Sequence, residues 1–531
     1  MLVKSFICLL LLAAVSAKFY SIDAQMNIQE ISEEVAELFK HEPRIVGTSK
    51  FIDNLNQTGW IYYAIETNGA QPDWLQTYSA GYLEGYLTYN YIYSAWNNEK
   101  VNLQEKGVHA VPQNVTDFLQ KQLLWIYEMV LANRNDPYWN LVNATVSQLQ
   151  GMYDGYVVAC AAHNHPEYVI PFIDFYQLTY MADLGDVVSK FTTFDITRPS
   201  CSFLLKITEE GLFSSHITWG DYVHMIRLYK VFNLNLQNPL VNTKRMSLSA
   251  HPGALASIDD FYMVDNNRVV TETTISGNNN QVYGFIQEKS LPYWLRVTVA
   301  NLVFTDQKSW ADTFYQHRSG TYNNQWIIID YNNYDASKNL SEAKDIIWFV
   351  EEFYSLTKAQ DVTQQLLVPQ GYVASYNVPY DAAIQNLSQD TTNYTTSPRY
   401  TLFKKYAPGI KNFEDFKNVM RMNNISDTHD YCEAIACRCD LRPGQTVPWG
   451  AYDCKATSDK WVKDQQAWIV SGPTTEVNIR PFSWNDWPNF NQRITGLPTV
   501  YNFDWVFVSP DQNFTVSVPL EKAFEMQSIL W

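Results

Sequence analysis

Cys201 opens the stretch CSFLLKITEEGLFSSHITW, which also carries His216, and a thiol near an imidazole is the pair from which nucleophilic acyl transfer is built. The segments CSFLLKI and LFSSHIT flank TEEG, so a β-hairpin with its tip at 208–211 is predicted. Centring the turn between Glu209 and Glu210 pairs Phe203 with His216 and Cys201 with Thr218. Period-two alternation then puts Cys201, Phe203 and His216 on one face, with His216 the diagonal neighbour of Cys201. A slip of one residue would turn His216 to the other face. A protonated imidazole there would lower the thiol pKa and favour the thiolate. Cleavage of the Ser200–Cys201 bond would add a second base, the freed α-amine, whose ordinary pKa of about 7.7–8.0 leaves a useful neutral fraction near pH 7. The Pro199-Ser200 pair ahead of the strand suits an accessible cut. The bland alternative is an inert buried thiol, or a disulfide partner for Cys160.

The elements that would position such a pair are legible in outline. Leu119, Leu123, Tyr127 and Val130 recur at helical spacing within 117–131, and 73–96 also reads as helix, so the first two hundred residues look largely helical. After Cys201 the texture changes. Strands are predicted at 268–275, 325–331 and 372–378. Tyr222, Ile226, Tyr229 and Phe232 predict a helix within 221–232. Residues 381–400, with two glycosylation sequons and Pro398, read as an exposed loop. Helices and strands in separate runs imply an α+β fold with a large antiparallel sheet.

The chain starts MLVKSFICLLLLAAVSA, a basic residue, an apolar run and small residues at a cleavage site, so 1–17 is read as a secretory signal peptide. No later window is apolar enough for a transmembrane segment. Eight N-x-S/T acceptors, at Asn56, Asn114, Asn143, Asn339, Asn386, Asn393, Asn424 and Asn513, fit a glycosylated protein of the secretory route and place those positions on the surface. A hydrophobic content of 46% supports a large core and argues against disorder. The net charge of −17 disfavours nucleic acid and anionic membrane surfaces as partners. Beyond the leader the cysteines are Cys160, Cys201, Cys432, Cys437, Cys439 and Cys454. The last four could form local disulfides, and their C-x4-C-x-C-x14-C spacing lacks the paired C-x2-C of common zinc modules. His163 and His165 lack a carboxylate or cysteine set to complete a site and read as surface residues. Neither a metal nor a cofactor is expected. No G-x-S-x-G elbow is present, which disfavours a serine α/β-hydrolase.

Several uncommon strings then occur in order: AGYLEGYLT (80–88), DFYQLTYMADLGD (174–186), CSFLLKI with HITW (216–219), HPGALASIDDFYMV (251–264), VTETTI (270–275), RSGTYNNQWIIIDY (318–331) and GYVASYNVPYD (371–381). On these the chain resembles the phospholipase B-like family, lysosomal and secreted proteins with an N-terminal-nucleophile hydrolase fold. The resemblance implies an α-β-β-α sandwich and autocatalytic cleavage before Cys201. It also implies that a mostly helical fragment 18–200 and a larger fragment 201–531 stay associated, and homodimers are compatible with it. The implied activity is hydrolysis of phospholipid acyl esters in lipid catabolism. The alternatives are an amidase acting on N-acyl or peptide amides, or a luminal binding protein without turnover. The family's H-x-T-W motif falls on His216, Thr218 and Trp219, with Ile217 where asparagine is usual. Thr273 and Asn377 fall on motif positions expected to face the nucleophile. The Asn377 amide could donate to an oxyanion, and Trp219 could wall the pocket. Asn323 and Asn324 form a further polar pair, of which alternation lets only one face the site.

Overall fold

In the computed structural model, residues 17–192, 200–275, 277, 279–475 and 479–510 are described. Alternation in IVGTSKFIDN and WIYYAIET produces strands Ile45–Asn54 and Trp60–Thr67, which pair with each other. Lys18–Asp23 and Ile28–Ile31 extend that pairing. The N-terminal portion thus starts with strands that the sequence reading did not mark, and helices make up most of the remainder. The period-two signal of half-buried strands was outweighed by the longer helical stretches that follow.

These four strands join a larger sheet of eleven strands. Trp60–Thr67 runs parallel to Arg227–Asn233, and the sheet continues through Arg245–Ala250, Phe261–Val264, Arg268–Thr274, Asn324–Asp330, Ile347–Phe353 and Leu356–Asp361. A second sheet of seven strands is built around Ser200–Thr208 and Gly211–Asp221. Its other members are Tyr372–Ser375, Trp449–Ala451, Asp453–Ser458, Ala467–Ser471 and Val506–Val508. The two sheets face each other across Trp60, Phe203, Leu205, Tyr229, Ile327 and Ile469. Helices cover the outer face of the large sheet, around Leu149, Tyr176, Trp294 and Trp326. Shorter helices cover the outer face of the smaller sheet, around Leu204, Ile217, Phe403 and Phe416. The order of layers is thus helix, sheet, sheet, helix, a mixed α+β architecture.

Two helices of the outer layer, Asp73–Leu87 and Pro137–Ala162, cross backbone to backbone. Glycines four apart on each make this possible: a Cβ at Gly81 or Gly85 would collide with the carbonyl of Gln148 or Met152, and one at Gly151 or Gly155 with that of Tyr78 or Tyr82.

Three expectations are corrected. Residues 221–232 are not a helix but a short turn, Tyr222–His224, and the strand Arg227–Asn233. That strand lies between two neighbours with almost every residue buried, so it is buried on both faces, shows no alternation, and matches a helical period by accident. The 73–96 helix is two helices, interrupted at Thr88, whose hydroxyl donates to the Glu84 carbonyl. Residues 381–400 contain the helix Ala382–Ser388, capped by Asp381, and the start of Pro398–Tyr406.

Among the described residues no helix is long and apolar enough to cross a membrane. Asn56, Asn114, Asn339, Asn386 and Asn393 are exposed, whereas Asn143 and Asn424 are half-buried; Asn513 and the leader up to residue 16 lie outside the described residues. Cys432 and Cys439 form a disulfide, and Cys160, Cys201, Cys437 and Cys454 are free thiols.

Candidate active site

The hairpin has the register that the TEEG tip dictates. Phe203 faces His216 and Cys201 faces Thr218, so the thiol and the imidazole share the face that looks toward the large sheet. Cys201 is the second residue of its strand and fully buried. On its other side the strand Tyr372–Ser375 pairs only as far as Ser375 with Phe203, after which the chain turns away. Asn377 takes up that turn with φ of +69°, a conformation asparagine tolerates better than most residues. There its Oδ1 accepts from the Cys201 backbone N–H at 3.0 Å, and its Nδ2 donates to the Thr274 carbonyl at 2.7 Å. The side chain therefore presents its oxygen, rather than the expected amide donor, to the head of the Cys201 strand.

A gap in the large sheet brings the remaining groups to the thiol. The short strand Phe261–Val264 ends its pairing with Phe261 opposite Thr271, leaving Glu272–Thr274 with a strand partner on one side only. His216 fills the vacancy, donating from Nε2 to the Glu272 carbonyl at 2.9 Å. That bond fixes the proton on Nε2 and leaves Nδ1 as a buried lone pair without a partner. Through the same gap the Cys201 thiol meets Glu272 Oε1, with Sγ 3.7 Å away. Tyr322 donates to Asp260 Oδ2, and its hydroxyl oxygen lies 3.2 Å from Glu272 Oε1.

Burial dominates the electrostatics. It holds His216 neutral, with a pKa well below the ordinary imidazole value, and Lys455 nearby pushes the same way. It raises the Cys201 thiol well above its ordinary value, and Glu272 adds to this. The imidazolium–thiolate pair expected from the sequence is therefore not present; both partners are neutral. Burial also raises Glu272 to about 7, and Asp260 well above the carboxylate range, the latter helped by Glu272 beside it. Cys201 Sγ, a ring nitrogen of His216 and a Glu272 carboxylate oxygen lie within 4.8 Å of one another. Such spacing would also suit a metal, but each residue already has a hydrogen-bond partner within the trio, and we read it as a proton-sharing cluster.

Arg399 closes the site from the opposite side. It donates to the Cys201 carbonyl, to Ser202 Oγ at 3.3 Å, to the Tyr376 carbonyl at 2.7 Å and to Asn377 Oδ1 at 2.8 Å. Its guanidinium stacks on Trp219 at 4.3 Å, and burial lowers its pKa to about 10, which leaves it a cation at neutral pH. Trp219 thus reaches Cys201 through Arg399 and not directly. Together with Tyr376, Asn377 and the Cys432–Glu433 segment, the two line a cleft of about 210 Å³. Ile217 packs with Leu204 and Phe213 in the apolar layer behind the smaller sheet, so the departure from the family motif lies on the face away from Cys201.

Thr273 is one step removed: its Oγ1 lies 2.5 Å from Ser375 Oγ and accepts from the Asn377 N–H at 3.3 Å, so it steadies the turn that carries Asn377. Thr218 Oγ1 donates to the Asp259 carbonyl and accepts from Lys455, part of a buried ionic cluster in which Arg227 binds both Asp259 and Asp453. Asn323 holds the Tyr354 N–H and the Gly320 carbonyl, and Asn324 starts the strand opposite Thr274. No hydrogen bond joins either to Cys201. His163 stacks on Tyr89 and His165 on Tyr168, at the surface. Glu272, Asp260, Tyr322 and Arg399 were not singled out from the sequence. The first three lie inside the quoted motif strings, whereas nothing in the sequence around Arg399 marked it.

Comparison with known proteins shows the family. The family model described as Phospholipase B matches residues 47–508. The chain is similar to Phospholipase B-like protein B of Dictyostelium discoideum, 34% identical over 87% of this chain and 85% of that protein. It is similar to Phospholipase B of Crotalus adamanteus, 31% identical over 86% of this chain and 87% of that protein. It is also similar to Phospholipase B-like 1 of Rattus norvegicus, 29% identical over 86% of both chains. With the family model matching most of its length, the chain belongs to the phospholipase B family.

Proposed function

We propose that this protein is an N-terminal-nucleophile acyl hydrolase, cut between Ser200 and Cys201, that releases fatty acids from phospholipid esters. The observation that carries the reading is the clamp on the Cys201 backbone: Asn377 Oδ1 holds its nitrogen and Arg399 its carbonyl oxygen. A new α-amine at that nitrogen would be held beside its own thiol. The amine takes the thiol proton as Sγ adds to the acyl carbonyl carbon, and returns it to the departing alcohol oxygen as the tetrahedral intermediate collapses. Water then resolves the acyl-thioester to a free fatty acid and restores the thiol. Arg399 supplies positive charge next to the developing oxyanion, with Trp219 setting the plane of its guanidinium. The layered sheet pair supports an N-terminal-nucleophile fold. Fragments 18–200 and 201–531 would remain associated, because Trp60–Thr67 and Arg227–Asn233 are neighbours in one sheet.

Fatty-acid release from phosphatidylcholine vesicles and from an N-acyl amino acid, by the cut protein and by Cys201→Ala, tests this. Release from the phospholipid that disappears in Cys201→Ala is expected. Hydrolysis of the amide alone would make the protein an amidase, and no turnover of either would favour a binding protein.

A further inference from the structure

We infer that Glu272, with Asp260 and Tyr322 behind it, is the base that takes the Cys201 thiol proton in the cut that creates the new N-terminus. This rests on the reading of Cys201 given above. Before the cut there is no α-amine, so the uncut chain must use a side chain. Two are within reach. His216 spends its Nε2 proton on the Glu272 carbonyl and sits near Lys455, an environment that disfavours adding a second proton. Glu272 is where the thiol already points.

The surroundings of Glu272 are those of a proton store rather than an ion pair. Glu272 and Asp260 are both fully buried, and Glu272 Oε2 and Asp260 Oδ1 receive no donor. The nearby cations are engaged elsewhere, Lys455 with Asp453 and Arg227 with Asp259 and Asp453. Two adjoining carboxyls without a cation cannot both ionise cheaply, so they share a proton, which Tyr322 steadies by bridging them, its hydroxyl on Asp260 Oδ2 and its oxygen 3.2 Å from Glu272 Oε1. The pair's elevated pKa values agree.

In the step itself the thiol proton passes to Glu272 and Sγ bonds to the Ser200 carbonyl carbon. The Ser200–Cys201 C–N bond breaks as Glu272 returns that proton to the nitrogen. Water then hydrolyses the thioester, leaving the Ser200 carboxyl and a free cysteine with its amine. Besides Asp260, Tyr322, Cys201 and His216, the titratable groups facing the pair are Tyr262 and Tyr293, which stay neutral, and Asp259, which stays ionised and adds to the rise at Asp260. Glu272 accepts a proton only as a carboxylate, so cutting accelerates as pH rises through about 7 and stalls in acid.

The test is a pH-jump on single-chain precursor kept at acid pH, with fragment formation followed by mass. Wild type should show a rate that climbs with a midpoint near 7. Glu272→Gln should cut about 100-fold more slowly with a flat profile. Tyr322→Phe, a milder change, removes a bond to the carboxylate form and should move the midpoint up by about one pH unit. If wild type cuts while both variants keep its rate and profile, this inference is overturned alone. A wild type that never cuts at any pH overturns the proposed function and this inference with it.

Discussion

Replacing Arg399 by lysine isolates what its planar fork does. The guanidinium serves four acceptors, the carbonyls of Cys201 and Tyr376, Asn377 Oδ1 and Ser202 Oγ, while lying flat on Trp219. Lysine keeps the charge but offers one nitrogen and no plane, so roughly two of the four bonds are lost. Hydrogen bonds to charged groups contribute about 1.5 kcal/mol each at the lower end, so the site loses about 3 kcal/mol of ordering. If that ordering is what aligns Cys201 in the transition state, the rate falls ~150-fold. The assay is fatty-acid release by the cut protein together with fragment formation by the precursor. Both should drop, because the same clamp holds the strand in both steps. Activity within about threefold of wild type would refute the clamp, since a threefold change is well under 1 kcal/mol.

Arg227→Met should destabilise the fold by about 4 kcal/mol in urea unfolding, because it leaves Asp259 and Asp453 buried with less countercharge; a loss under about 1 kcal/mol would mean that Lys455 suffices. Gly85→Ala should cost at least about 3 kcal/mol by the same measurement, since its methyl meets the Met152 carbonyl on the facing helix, and a neutral effect would show that the helices can part. Stability should fall as pH rises from 6.5 to 8. Asp183, Glu272 and Glu351 keep their protons in the folded state up to about 7, but lose them at about 4 when unfolded, so the native state binds more protons in that window. His216 and His251, held neutral by burial, oppose this only below their unfolded value and drop out above it. A melting temperature that is flat or rises from pH 6.5 to 8 would contradict these assignments.

How much of this was legible in the sequence depends on range. The Cys201–His216 geometry follows from a tight turn and period-two alternation, both local, and the register is as read. The strands at 268–275 and 325–331 were legible for the same reason. Arg227–Asn233 was not, because a strand buried on both faces carries no alternation. Arg399 lies within the stretch of polar residues and sequons that reads as exposed loop, and only the packing of Pro398–Tyr406 on the smaller sheet turns it inward. The carboxyl pair illustrates a third limit. Asp260 precedes one strand and Glu272 sits where its neighbour runs out of partner, so their contact depends on where a ladder stops. The expectation of a cationic His216 failed because charge depends on burial, which spacing does not encode.

The account stands on Cys201 becoming a chain terminus. N-terminal sequencing with intact mass after deglycosylation, on protein recovered from cells, measures that directly. The predicted result is two associated fragments, the larger beginning Cys-Ser-Phe-Leu-Leu, and a single uncut chain for Cys201→Ala. A wild-type protein that stays in one piece across the pH range, or a cut that persists at the same bond in Cys201→Ala, would contradict it.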